Sequence, residues 1–471
     1  MIFLLGMGHY ISLGVTLLVF CLLGLISTRM VKSVSDYLVG GRKLGPLLVA
    51  GGIVGGFVGG TVTIGTAQMA YRYGISGIWF TLGAGAACLL LFLFLARPLR
   101  EKEVDTVSQF LALTYGSKAV PWVALFVGAG MFIQVSVQMV AAAPMLTAIL
   151  PVSTKFALLI FAALTIFYVL GGGIWGSSLV GLLKLLLLSA TLLAAAVAGW
   201  TLTGGGASLT GYFGLYPWFS LFPRGFSLDL AGGLSAVIGF ISTQACIQPV
   251  FAGRDVKSAR AGALAAAILI PLFGAAGVLV GMYMRMTRPD IDPAMALPLF
   301  MLEHLPPWIS GAGLATLLVT MVLTSSAMAL GISALFSQDI YPRLRPGRTP
   351  GERLTAARAA VFVTILAGTL MAFRTMGDLI LDWSYLSNAL RGVTVFAPLL
   401  AAVFFGRRVP PAAGVLAVSA APLFAAAWAL FFPGTLHPLY AGLPVSFLII
   451  ISGLIHPGLY SGFDKDKKLQ R

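Results

Sequence analysis

The sequence predicts an all-α polytopic membrane protein with about thirteen transmembrane helices. Three observations carry that expectation. Hydrophobic residues make up 59% of the 471, only 10% are charged, and the mean hydropathy is +0.97. Apolar runs of about twenty residues, the length that crosses the hydrocarbon of a bilayer, recur along the chain. The period-two alternation of a membrane β-barrel is absent.

In chain order the expected spans are 9–28, 45–71, 76–97, 119–149, 156–170, 176–200, 228–249, 260–284, 309–338, 355–373, 382–405, 411–432 and 439–456. Proline and glycine punctuate them at Arg97-Pro98, Pro151, Gly171-Gly172-Gly173, Pro306-Pro307, Pro342 and Pro410-Pro411. Residues 1–471 read as one transport domain. The segment 9–28 lacks a basic leader and is followed by many more spans, so it reads as a retained helix rather than a secretory signal.

Lysine and arginine number 30 against 15 aspartates and glutamates. Twenty-two of the basic residues fall in alternate loops, including Arg29, Lys32, Arg42 and Lys43, then Arg97, Arg100, Lys102 and Lys118, and the tail from Lys465. Basic loops face the cytoplasm, so the N-terminus is expected outside and the C-terminus inside a cell (inner) membrane. The excess charge is thereby explained by topology, and no nucleic-acid partner is expected. Cys21, Cys88 and Cys246 have no metal-ligand spacing, and the four histidines are scattered. No nucleophile–base or cofactor constellation converges, so an enzyme is not expected.

Polar residues inside the spans are the candidate site. The second span carries Gly51, Gly52, Gly55, Gly56, Gly59 and Gly60, with Thr61, Thr63, Thr66 and Gln68. Two readings stand side by side: an unwound patch offering carbonyls to a cation or solute, and a close-packed small-residue interface. The ninth span clusters Thr320, Thr324, Ser325 and Ser326, whose hydroxyls suit a cation or bond to their own helix. Gln134 and Gln138, and likewise Gln244 and Gln248, repeat at i,i+4 and should face the bundle interior. Lys184 lies within an apolar run with no acid within a turn. It either meets a cavity or partner or snorkels to the interface. Arg391 has Asp382 and Asn388 on its own span and Asp378 just before it, which favours a structural salt bridge or a snorkelled guanidinium over a direct substrate clamp, although a clamp would suit a carboxylate.

Taken together, the chain resembles the sodium:solute symporter family of bacterial proline, pantothenate, sugar and sialic acid carriers. The matching motifs are Asp36-Tyr37-Leu38-Val39-Gly40-Gly41-Arg42, Ala70-Tyr71-Arg72-Tyr73-Gly74, the glycines at 171–173, the stretch Gln248-Pro249-Val250-Phe251-Ala252-Gly253-Arg254-Asp255-Val256-Lys257-Ser258-Ala259-Arg260, and Gln338-Asp339-Ile340-Tyr341. The resemblance implies a leucine-transporter-like fold, with inverted five-helix repeats at 45–200 and 228–405, an extra helix at 9–28 and two accessory helices at 411–456. It implies cation-coupled uptake of a small polar organic solute by alternating access, with Na+ as the coupling ion and no cofactor. The implied sodium site comprises the carbonyls of Gly55 and Val58 with Thr320 and Thr324, and Ser325 as a substitute oxygen. Gln68, Gln134, Gln138 and Gln244 are the expected solute-lining residues.

The chain departs from the family pattern at three positions. Leu323 stands where a hydroxyl is usual, Val180 where a carboxylate is usual, and Phe57 where the unwound helix is usually polar. Val180 and Lys184 share a helix face. One expectation is therefore proton-coupled or sodium-independent transport, with the Lys184 amine taking over part of the cation's role. The competing one is ordinary sodium symport with Lys184 snorkelling. A transporter-like sensor or an uncoupled channel is the alternative class.

Overall fold

The structure, a computed structural model, describes residues 5–30, 34–347, 349–432 and 436–463. Lys32, Arg348, Lys465, Lys467, Lys468 and Arg471 of the basic-loop pattern lie outside them. The described residues form helices joined by short connections. Those that matter here are α1 (Met7–Thr28), α2 (Pro46–Phe57), α3 (Thr66–Tyr73), α4 (Trp79–Leu90), α5 (Val107–Tyr115), α6 (Val120–Ile149), α7 (Thr154–Leu202), α8 (Phe226–Ile241), α9 (Gln244–Ala252), α10 (Val256–Thr287), α11 (Pro307–Ala334), α12 (Pro350–Ala372), α13 (Ile380–Phe404), α14 (Pro411–Phe431) and α15 (Pro438–Ile455).

Local chemistry sets several of these boundaries. Pro46, Pro307, Pro350, Pro411 and Pro438 each open a helix, where the missing N–H loses no intrahelical bond. Thr349 and Glu352 close a reciprocal capping box on α12. Gly74, at φ +68°, ends α3; a Cβ there would lie 2.0 Å from Trp218 O, so only glycine fits.

Eleven helices among the described residues are long and apolar enough to cross a membrane, and Pro46–Phe57 and Thr154–Val169 are shorter apolar helices. The expected spans at 156–170 and 176–200 fall within the one helical segment α7. The expected span 45–71 is broken: α2 stops at Phe57, Val58 is extended (φ −72°, ψ 98°), and a π-helical turn over Thr61–Gly65 leads into α3. A second break separates α8 from α9, where Thr243 is extended (φ −95°, ψ 120°).

Burial sorts the helices. In the span containing α11, 94% of the apolar window is buried, against 17% in α1, so α11 forms the centre and α1 the lipid-facing edge. The α2–α7 crossing depends on absent side chains. A Cβ on Gly51 would sit 2.8 Å from Leu182 N, and one on Gly181 would sit 2.3 Å from Gly51 O. Backbones approach this closely only through glycine. Lys184, nearly one turn beyond Gly181, is thereby carried to the broken end of α2.

Candidate functional site

Breaking the helix after Phe57 leaves the carbonyls of Gly55 and Val58 without backbone donors among the described residues, while Val54 O keeps Val58 N at 2.9 Å, and a buried carbonyl needs a partner. Lys184 supplies it. Its Nζ lies 3.3 Å from Val54 O, 3.1 Å from Gly55 O and 3.5 Å from Thr320 O, and also donates to Val58 O. The side chain is fully buried, and its amine turns inward rather than towards the interface. Thr324 Oγ1 donates to Gly55 O at 3.2 Å and Val58 O at 3.1 Å. The expected cation ligands Gly55, Val58, Thr320 and Thr324 are therefore brought together, around an ammonium. Thr320 contributes its carbonyl, while its hydroxyl and those of Ser325 and Ser326 have no partner among the described residues.

The departures at 180 and 323 are physically linked. Val180 and Leu323 are both fully buried in one apolar cluster with Phe20 and Val319, against α1. Where relatives are expected to place a carboxylate and a hydroxyl, this chain packs hydrocarbon. The positive charge comes from Lys184, one turn along the same face.

The glutamines divide by role. Gln138 accepts from Gly60 N at 2.7 Å and donates to Thr61 Oγ1 at 3.1 Å; Gln134 donates to the same hydroxyl at 3.1 Å, leaving its own Oε1 unpartnered. Both amides brace the break. Gln244 accepts from Val107 N at 2.8 Å and donates to Asp105 O at 2.9 Å, so it caps α5 instead of facing the break in α2. Gln68 accepts from Ile380 N at 3.1 Å and lines a cavity of about 580 Å³ with Thr147, Thr154, Asp292 and Asp378.

Two features were not legible in the sequence. Phe57, the last residue before the first break, stacks on Phe80 (centroids 5.3 Å, 6° between planes) and meets Phe240 edge-on at 4.6 Å. Aromatic packing thus fills the space between the two breaks. At the opposite end from Gln68, buried Asp339 accepts from Thr106 Oγ1 at 3.0 Å, from Gln109 Nε2 at 3.1 Å and from Ser108 Oγ. Its carboxylate meets the N-terminal turn of α5, where helix dipole and charge agree. Thr106 as an N-cap was the available signal, but nothing local indicated its distant partner.

A family model described as the sodium:solute symporter family matches residues 37–415. The chain is 24% identical over 379 residues to the uncharacterized symporter YwcA of Bacillus subtilis (strain 168), covering 74% of this chain and 71% of that one. It is also 24% identical over 390 residues to the high affinity choline transporter 1 of Homo sapiens, covering 78% and 66%. The substrate-bound, outward-open structure of a Na+-coupled sialic acid symporter superposes with a TM-score of 0.80 at 19% identity, covering 97% of this chain and 99% of that one. That likeness shows a leucine-transporter-like fold. With the match spanning most of its length, the chain belongs to the sodium:solute symporter family and is a multi-pass secondary transporter of solute, not an enzyme.

Proposed function

We propose that this protein takes up a small polar organic solute by alternating access, and that Lys184 and the coupling cation take turns on one set of oxygens at the break after α2. Membership of the family supports sodium as that cation. The observation that carries the proposal is the Lys184 amine, fully buried among the carbonyls of Val54, Gly55, Val58 and Thr320. Sodium is cargo here and needs the same acceptors. Two unit charges 4 Å apart repel by about 4 kcal/mol at an effective dielectric near 20, so an ammonium and a sodium ion do not share the site. Sodium would occupy the carbonyls of Gly55, Val58 and Thr320 and the Thr324 hydroxyl once the lysine withdraws, with Ser325 as a further oxygen.

The asymmetry of basic loops supports an N-terminus outside and a C-terminus inside the cell membrane. On that orientation the Gln68–Ile380 bond closes the outer side and the Asp339 cluster closes the inner one. The segments 45–200 and 228–405 would be the two repeats that move against each other.

Sodium-dependent thermal stabilisation of the purified protein, with potassium as the control salt, tests this reading without a known solute. Lys184→Ala and Lys184→Met should respond to sodium at lower concentrations than the wild type. An identical dose response in wild type and both variants would overturn it. Complete burial of Lys184 favours a second reading, in which the lysine never leaves and transport is sodium-independent. That reading predicts a wild type insensitive to sodium and variants that respond.

A further inference from the structure

Four Asp, Glu, Lys or Arg residues among the described ones are no more than 4% exposed: Lys184, Asp229, Asp339 and Arg391. The two acids are engaged away from the breaks. Asp229 pairs with Arg224 at 2.8 Å, and Asp339 is held by the donors at the start of α5. The two bases sit at the breaks, Lys184 on the first and Arg391 on the second, and neither meets a carboxylate. Thr320, Thr324 and Met328 run along one face of α11. Lys184 touches the Thr320 end and Arg391 the Met328 end, roughly 12 Å apart along the axis.

Arg391 is a built feature. Its Nε donates to Ser387 O at 3.0 Å, Nη1 to Thr243 Oγ1 at 2.6 Å, and Nη2 to Ser387 Oγ at 3.0 Å and to Asn388 Oδ1. Gly130 makes room for it, since a Cβ there would lie 2.5 Å from Arg391 Cγ. Every acceptor is neutral. Because Asn388 Oδ1 faces the guanidinium, its Nδ2 points elsewhere, and that buried donor has no partner among the described residues. Ser242, immediately before Thr243 in the break, carries a second unpartnered buried hydroxyl. A buried charge without a counter-charge, beside unsatisfied donors, is costly in a membrane. Both costs fall if a carboxylate arrives.

We infer that the transported solute is a small organic anion whose carboxylate pairs with Arg391 at the break between α8 and α9, accepting also from Asn388 Nδ2 and the Ser242 hydroxyl. The inference rests on the reading of this chain as a solute carrier. The aspartates beside the Gln68 cavity do not contradict it, because Asp292 already accepts from Ala294 N at 3.0 Å and Asp378 from the Trp383 indole N–H at 2.9 Å.

The test is thermal stabilisation of the purified full-length protein, at fixed sodium, by matched probes. Acetate, lactate and pyruvate are carboxylate anions; lactamide, glucose and myo-inositol are neutral; choline is cationic. At least one carboxylate should stabilise the wild type, with lactamide, the sugars and choline inert. Arg391→Gln should raise the half-stabilising concentration about tenfold or more, while Arg391→Lys, which keeps the charge, should lose less. Monodispersity of both variants controls for folding. Stabilisation by choline, glucose or myo-inositol, no response to any carboxylate, or a carboxylate response unchanged in Arg391→Gln would each overturn the inference. The sodium response of the Lys184 variants uses no solute probe, so failure of that reading is seen separately.

Discussion

Lys184 and Thr324 donate to the same oxygen, Gly55 O, at 3.1 and 3.2 Å. One donor comes from α7 and the other from α11, so the broken end of α2 is held between two helices that are distant in sequence. The arrangement satisfies carbonyls that the break would otherwise leave bare.

This convergence makes Thr324 the simplest position to test. Thr324→Val keeps the shape and removes the hydroxyl, and should destabilise the protein by about 1 kcal/mol in thermal melting. Thr324→Ser should lose less. Combined with Lys184→Ala, the two effects should be non-additive by about 0.5–3 kcal/mol, because both side chains serve one oxygen. Strict additivity would mean that the two donors do not share a carbonyl.

At the other end, Asp339→Ala would leave Thr106, Ser108 and Gln109 without their common acceptor. Thermal melting should show a loss of about 1–3 kcal/mol. Asp339→Asn retains a carbonyl oxygen and should fall between alanine and wild type. A melting temperature for Asp339→Ala equal to that of the wild type would remove this cluster as a tie between α5 and the segment Leu335–Ile340 that follows α11.

His437, just outside α15, gives a pH prediction. Burial pushes its imidazole down to about 4, and its Nδ1 accepts from Leu439 N at 3.3 Å, which only the unprotonated ring can do. A depressed folded-state value means the unfolded chain binds the proton first. The contribution is therefore complete above roughly pH 6.5 and is lost as pH falls towards about 4, by up to about 3 kcal/mol. His437→Asn keeps an acceptor without titrating, so its melting temperature should fall less than that of the wild type across this window. Parallel pH profiles would contradict the assignment.

The sequence by itself determined the class of molecule. Apolar runs of bilayer length, basic residues gathered in alternate loops and motifs such as Ala70-Tyr71-Arg72-Tyr73-Gly74 are local signals, and hydrophobicity along one segment is enough to read them. The same local signal located Lys184 as an anomaly and marked the glycines of the second span. The two readings of those glycines proved compatible. Gly51 packs against Gly181, and four residues later Gly55 offers its carbonyl at the break.

Only the tertiary structure decided where these groups point. Lys184 turns inward because Gly51 and Gly181 let α2 and α7 touch, bringing its four methylenes within reach of Val58 O; from one helix alone, snorkelling was equally available. Gln134 and Gln244 follow the same i,i+4 pattern, yet one braces a broken helix and the other caps α5. Arg391 had carboxylates near it in sequence, but Asp382 pairs instead with Arg224, leaving the guanidinium to Thr243, Ser387 and Asn388. Spacing along a helix fixes a face; partners distant in sequence, Thr61 for Gln134 across 73 residues and Val54 for Lys184 across 130, fix what that face meets, and they come together only when the bundle closes.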